Sequence, residues 1–446
     1  MNSIFEVLKA ENLTTLSIRY DFQTEKVNFM AAREWDKDTD FSRFNKDFYV
    51  GSIMADNAVY YGTDAVREIF ERNDASEYLD DVLALIHDGK HFGIDCFFNE
   101  KWDIRYAACL HSPREGINNM RPNTYGGGFR RHDPSEPEIE VIADGLNLSR
   151  AQSYKNYAIQ ARLGGQKSVV IMEPVDLENK EEIGFIGYCM SRIRSATASD
   201  LGFPVEINDL EADYGYSVLF NGGPRSKMGL GGPPTAWGVY LSMKEAAKFV
   251  FDTDSLKGLT VAVQGLGNVG SCVAQHCLDE GAKLIVTDIN EQRVKDFISK
   301  HPDDDITGVA PDEIMSVECD ILSPSAAGGV LSDETIPKLN CKMVFGCANN
   351  QLKSTSKEDD FRLCRMLADR GILFQESWWH NGGGVWAGTY EKDKGDDANY
   401  EELCELIRDL IPEMTAKNIA KSIELGITPT ECAYLTVEDA MYGYKE

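Results

Sequence analysis

A chain of 446 residues, 43% hydrophobic and 26% charged, is long enough for two or three domains with cores of their own. Its 73 acidic against 45 basic side chains leave a net charge of −28, which argues against nucleic acid and anionic membranes as partners, since both would repel it. The plainer reading of that charge is a well-solvated surface. The opening MNSIFEVLKAEN has neither a basic start nor a sustained apolar stretch, so a signal peptide is not expected, and no window reads as a membrane span. Eleven scattered cysteines without a CxxC pair suggest free thiols in a reducing, cytoplasmic setting. His87 and His91 have i, i+4 spacing, but Asp88-Gly89 between them reads as a turn, so no metal is expected.

In chain order, residues 1–88 read as a folded N-terminal extension without assignable chemistry, including Asp36–Asp40 and the aromatic-rich Phe41–Tyr60. Residues 89–234 mix strands such as Ser168–Met172 with helices such as Glu181–Ala196, as an α/β domain of their own. Within it, Tyr125-Gly-Gly-Gly-Phe-Arg130 reads as a glycine-rich turn. Lys155, in Ser153-Tyr-Lys-Asn, precedes Lys167, in Leu163-Gly-Gly-Gln-Lys, by twelve positions, and Ala212-Asp213-Tyr-Gly215 follows. Asn221–Pro234 is dense in Gly and Pro and predicts a loop or hinge. Thr235–Phe251 has helical periodicity, with Pro233-Pro234 suited to a helix start. Short β-rich runs then recur at Leu259–Gln264, Leu284–Thr287, Asp320–Leu322, Met343–Phe345 and Ile372–Phe374, which predicts a doubly wound parallel sheet over 235–375. The last segment, 376–446, carries Trp378-Trp-His-Asn381-Gly-Gly-Gly384 and an acidic amphipathic helix over Tyr400–Glu424.

The most informative stretch is VAVQGLGNVGSCVAQHCLDEGAKLIVTDIN, from Val261 to Asn290. A buried strand runs into Gly265-Leu-Gly267-Asn268-Val269-Gly270, a G-x-G-x-x-G turn that opens a helix. The next strand ends on Asp288, 23 residues after Gly265. Gly265 permits the tight turn, Gly267 lets backbone approach a pyrophosphate, and Gly270 lets helix and strand pack closely. The helix start offers unpaired N–H groups to phosphate, and the acid suits a ribose diol. The set predicts a Rossmann-type dinucleotide site.

TAWGVYLSMKEAAK, TVAVQGLGNVG, AKLIVTDIN, VECDILSPSAAGGVLSDETIP and ANNQL together resemble the glutamate/leucine/phenylalanine/valine dehydrogenase family, most closely its leucine dehydrogenase branch. The resemblance runs from about Gly93 to Tyr434. It implies a two-domain α/β enzyme with its active-site cleft between an NAD-binding Rossmann domain and a substrate domain. The reaction implied is reversible, NAD-dependent oxidative deamination of an L-amino acid to a 2-oxo acid and ammonia. It also implies a homo-oligomer, at least a dimer, built through the substrate domain. Carried over by position, Lys155 binds the substrate carboxylate, Lys167 and Asp213 are catalytic, and Gly127, Gly128 and Asn381 border the substrate. Thr235, Ala348 and Asn350 join Gly265, Gly267, Asn268, Val269, Gly270 and Asp288 on the cofactor. Asp209 and Glu211 stand close to Asp213, and the stretch from Lys167 to Asp213 is longer than leucine dehydrogenases lead one to expect.

The chemistry needs such groups. Hydride loss from Cα leaves an iminium that water must attack; a desolvated lysine can activate that water, a carboxylate can shuttle protons, and a second ammonium can fix the substrate carboxylate. Gly126 stands where the glutamate-specific branch holds a side-chain carboxylate with lysine, so glutamate loses its anchor. Trp378, Trp379 and Tyr434, with Glu431, read either as core packing or as a pocket enlarged for an apolar or bulky side chain. Arg130, Arg131 and Arg225 are the cations that could instead serve an acidic substrate. The competing readings are a hydroxy-acid reductase on the same fold, a reductive aminase for an unusual oxo acid, and a non-catalytic NAD sensor.

Overall fold

The computed structural model describes residues 2–21, 24–43, 53–111, 125–161, 163–193, 195–214, 222–354 and 356–442. It divides into two compact units, Met1–Leu230 with Gly388–Ala398, and Gly231–Ala387 with Asn399–Glu446.

The first unit is built on eight strands: β1 (Thr15–Asp21), β2 (Lys26–Arg33), β3 (Val59–Tyr61), β4 (Gly93–Asn99), β5 (Ile104–His111), β6 (Tyr125–His132), β7 (Gly164–Ile171) and β8 (Ser195–Ser199). Their order is β3-β2-β1-β4-β5-β7-β6-β8. Three strands from the first 88 residues, β1, β2 and β3, are therefore laid into this sheet: β1 pairs antiparallel with β4, Thr15 opposite Phe97 and Ile18 opposite Ile94. The sheet is antiparallel as far as β7, after which β6 runs parallel to both β7 and β8.

Both faces of β7 are covered, because successive strand residues point to opposite sides. Val169 packs with Ile142 and Leu146 of the helix Glu138–Ala158, whereas Val170 packs with Phe185 and Ile186 of the helix Lys180–Ile193. That explains its unbroken burial. One expectation changes here. The glycines of Tyr125–Arg130 lie in a strand, not a turn, and Gly164-Gly165 opens β7. The physical reason is close approach. A Cβ on Gly127 would lie 1.7 Å from the Gln166 carbonyl oxygen, and one on Gly165 would lie 2.1 Å from that of Ser149. Strand β8 and its partner role were not legible in the sequence, where 181–196 read as one helix.

The second unit holds six parallel strands: β9 (Thr260–Gln264), β10 (Lys283–Thr287), β11 (Ile306–Gly308), β12 (Ile321–Pro324), β13 (Met343–Val344) and β14 (Leu373–Phe374). The order β11-β10-β9-β12-β13-β14 reverses direction at β9, the doubly wound arrangement expected for a dinucleotide-binding domain. Val261 and Val263 face the helices Gly232–Phe251 and Gly270–Asp279, while Ala262 faces the helix Lys357–Asp369. The eleven cysteines are free thiols, and among the described residues no helix is long and apolar enough to cross a membrane and no metal-binding cluster is present.

Replacing Gly165 by alanine should destabilise the protein by about 1–3 kcal/mol, because the contacts it would crowd are backbone atoms that cannot swing away. Gly62→Ala, where a Cβ meets nothing within 4 Å, should stay within about 0.5 kcal/mol. Urea unfolding of both variants tests this; equal effects would contradict it.

Candidate active site

In the first unit, β6, β7 and β8 assemble a site from backbone that only glycine allows. Gly128 sits between Lys167 of β7 and Ala198 of β8 in the parallel ladders. A Cβ at Gly128 would lie 3.0 Å from Lys167 Nζ, so the missing side chain is the space the ammonium uses. Lys167 is buried, and its ammonium forms an ion pair with the carboxylate of Asp200, the first residue after β8. The Asp200 amide donates to the Phe129 carbonyl at 2.9 Å. Asn208 pins the preceding residue, accepting from the Ser199 amide at 2.8 Å and donating to its hydroxyl at 3.0 Å. Burial works to raise the Asp200 pKa, but the Lys167 and Arg130 charges outweigh it and hold the carboxyl below its usual range.

Lys155 lies half-buried on the helix Glu138–Ala158, and its neighbours tie that helix to β7. Ser153 Oγ accepts from the Gly165 amide at 2.8 Å, and Asn156 Nδ2 donates to the carbonyls of Leu163 and Gly164, both at 3.1 Å. The helix carrying one lysine is thus fastened to the strand carrying the other.

Asp213 is placed differently from the expectation. It ends the helix Glu206–Tyr214, 56% exposed, and pairs with Arg225 at 3.0 Å. Its neighbour Asp209 also faces Arg225, at 3.4 Å, and Glu211 is buried with neither carboxyl oxygen partnered among the described residues, its pKa driven up by burial. The acid brought to Lys167 is Asp200, which sequence reading missed. Two signals pointed to it: the excess length from Lys167 to Asp213, and an acid followed by Leu201-Gly202 at the end of a small-residue strand. Arg131 donates to the Met172 carbonyl at 3.0 Å, and Arg130 belongs to the site, 3.4 Å from Asp200.

In the second unit the glycine turn has the expected form. Gly265 has φ +100°, and a Cβ on Gly270 would lie 2.0 Å from the Gly265 carbonyl oxygen. Gly267 would meet nothing within 4 Å, leaving backbone open to an incoming group. Asn268 and Val269 lead into the helix Gly270–Asp279, whose N-terminus has no side-chain cap. Asp288 is buried and shapes the turn, accepting from the amides of Leu266 and Asn290 at 2.8 Å each. Thr235 Oγ1 donates to the Gly231 carbonyl at 2.7 Å and accepts from the Gly384 amide at 2.9 Å. The Ala348 amide donates to the Pro324 carbonyl at 3.1 Å, beyond the carboxyl end of β12, and Asn350 has φ 49°. Asn381 donates to the Cys347 carbonyl at 3.1 Å and to Asn349 Oδ1 at 2.9 Å, while its own buried Oδ1 has no partner among the described residues. An open glycine backbone, an uncapped helix start and an unused buried acceptor fit a dinucleotide.

Trp378 and Tyr434 are buried against one another, ring centroids 5.5 Å apart, and the Tyr434 hydroxyl donates to Asp360 at 2.7 Å. Trp379 donates to the Met414 carbonyl at 3.1 Å, and Glu431 accepts from the Thr428 amide at 2.9 Å. These residues pack the second unit.

Residues 233–290 match the family model for glutamate/leucine/phenylalanine/valine dehydrogenase. The leucine dehydrogenase of Bacillus subtilis is 41% identical over 301 residues, covering 65% of this chain and 79% of the relative. The valine dehydrogenase of Streptomyces albus is 34% identical over 318 residues, covering 70% and 84%. The chain belongs to this dehydrogenase family. Among solved structures, the L-tryptophan dehydrogenase of Nostoc punctiforme superposes with a TM-score of 0.64 at 25% identity, covering 81% of this chain and all of that one. The hetero-hexameric glutamate dehydrogenase of Thermus thermophilus shares the fold, with a TM-score of 0.59 at 18% identity, covering 76% and 84%.

The family's dinucleotide is NAD, and Asp288 generates a cofactor prediction. Fluorescence titration should show NADH binding more tightly than NADPH, whose 2′-phosphate would meet the Asp288 anion. Asp288→Ala should weaken NADH by roughly tenfold or more, since two amides lose their acceptor. Equal affinity for the two dinucleotides would contradict the reading.

Proposed function

We propose that this chain is an NAD-dependent L-amino acid dehydrogenase, interconverting an L-amino acid of apolar or bulky side chain with its 2-oxo acid and ammonia. The observation that carries it is the buried Lys167–Asp200 pair, in a strand set fastened to the helix bearing Lys155. Bound NAD supplies the hydride acceptor; the second unit would hold it at Gly265–Gly270, Asp288, Thr235, Ala348 and Asn350, with Asn381 Oδ1 offering an acceptor to the nicotinamide or the substrate. Lys155 fixes the substrate carboxylate as an ammonium. Gly127 and Gly128 keep the approach to Lys167 clear of side chains. Lys167, as the free amine, takes a proton from the water that attacks the substrate iminium. Asp200 holds Lys167 in place, and as a carboxylate it takes a proton from the substrate ammonium before hydride transfer and returns it to the amine that departs as ammonia. Asp200 takes the role first expected of Asp213.

Side-chain selection follows from what is absent along β6. Gly126 offers no cation, and Arg130 already faces two carboxylates, Asp144 and Asp200. A substrate carboxylate there would be left unpaired, which is costly in a closed site. The leucine, valine and tryptophan dehydrogenases among its relatives support an apolar side chain. Family membership supports a homo-oligomer, at least a dimer, and the free thiols support a cytoplasmic setting.

A panel of 2-oxo acids with ammonia and NADH should rank branched or aromatic substrates first; highest activity on 2-oxoglutarate would refute the assignment. Lys167→Ala and Asp200→Asn should each lower kcat by roughly 10²–10⁴-fold with NADH binding kept. Asp213→Asn should remain within about threefold of wild type, in line with a solvated surface position. Thermal melts separate lost chemistry from lost fold. A crippled Asp213→Asn beside an active Asp200→Asn would reverse the assignment.

A further inference from the structure

The Lys167–Asp200 pair does not stand alone. Arg130, two positions beyond Gly128 on β6, is shared: Nη2 lies 3.4 Å from Asp200 Oδ2 and Nη1 lies 3.1 Å from Asp144 Oδ2. Asp144 belongs to the same helix as Lys155, eleven residues earlier, which is about three turns and so the same face. On the other side of Asp144 is His132, the last residue of β6, with Nε2 3.3 Å from Asp144 Oδ2 and Nδ1 2.8 Å from Glu136 Oε2. An unbroken line of charged contacts therefore runs Lys167–Asp200–Arg130–Asp144–His132–Glu136, and ends at the half-exposed Glu136.

We propose that His132 is a positioning residue for the Lys167–Asp200 pair, acting through Asp144 and Arg130. The inference rests on reading that pair as the acid–base centre. With His132 protonated, Asp144 is satisfied from that side and Arg130 turns to Asp200, which then holds the Lys167 ammonium less tightly. With His132 neutral, Asp144 draws Arg130 to itself and Asp200 turns wholly to Lys167. A protonated His132 thus favours the free amine needed for water activation; a neutral one opposes it. The groups facing His132 are Asp144 from the helix and Glu136 from the turn after β6, with Arg130 beyond Asp144, and Asp200 and Lys167 beyond Arg130. Burial disfavours the imidazolium, but the carboxylates of Asp144 beside Nε2 and of Glu136, which accepts from Nδ1, outweigh it and raise the His132 pKa above its ordinary value.

The test is the pH dependence of kcat/KM for oxidation of L-leucine, or of whichever L-amino acid the panel ranks first, in wild type and His132→Gln. The wild-type rise should be shallower than one log unit per pH unit, because loss of the His132 proton works against loss of the Lys167 proton. His132→Gln should rise with unit slope, lie about three- to tenfold lower near pH 6.5, and converge on wild type near pH 9, as expected for a coupling of up to about one pKa unit. Asp144→Asn, which removes the competitor for Arg130, should move the opposite way and raise the acid end. A constant ratio at every pH, or superimposed profiles, would overturn the inference. A readout that needs no turnover is the NMR titration of His132: linkage is reciprocal, so Asp200→Asn should lower its midpoint. An unmoved midpoint would also overturn the inference, whereas a shifted midpoint with no amino acid turned over would sink the dehydrogenase reading and leave the coupling standing.

Discussion

The first unit depends on how closely three parallel strands and one helix approach one another around Lys167. Gly127, Gly128 and Gly165 are the points of contact, and at each a single added carbon would sit against a backbone oxygen or the lysine itself. Close-packed interiors do not yield at backbone atoms. That fixes where Lys167 can go: its stem runs beside Gly128, and its ammonium emerges next to the residue that follows β8.

Placing an ammonium there has an electrostatic consequence. A buried charge is costly unless it is paired, and the pairing must itself be satisfied. Asp200 meets that need, but a half-buried carboxylate then needs its own partners, and Arg130 supplies the second. Arg130 in turn faces Asp144, which also meets His132. The chain of ions grows outward because each member leaves donors or acceptors over for the next, and it stops where Glu136 meets water. These contacts keep Lys167 from being an orphan charge.

The second unit solves a different problem with the same residue type. Gly265, Gly267 and Gly270 allow, in turn, a positive φ, an open backbone and a tight helix–strand contact. Asp288 is tied to the turn itself. Its two oxygens take the amides of Leu266 and Asn290, so the acid holds the turn in the shape a dinucleotide requires. The Oδ1 of Asn381, buried and without a partner among the described residues, stands out beside so complete a set of hydrogen bonds.

The sequence by itself determined the second unit almost entirely, since a parallel sheet writes each strand as a short apolar run and the glycine turn is local in the chain. It also singled out Lys155 and Lys167, because both sit in short segments whose glycines and polar neighbours are contiguous with them. Only the tertiary structure decided which acid serves Lys167. Asp200 and Asp213 are both acids downstream of the lysine, and choosing between them requires knowing that 195–199 is a strand beside β6, a non-local pairing hidden behind a stretch that reads as helix. The glycines of β6 misled for the same reason: a turn and a crowded strand both demand glycine, and only the partner strands show which applies. The tryptophans and Tyr434 were equally ambiguous, because burial in a core and burial against a substrate leave the same apolar mark on a sequence, and the difference lies in what packs on the other side.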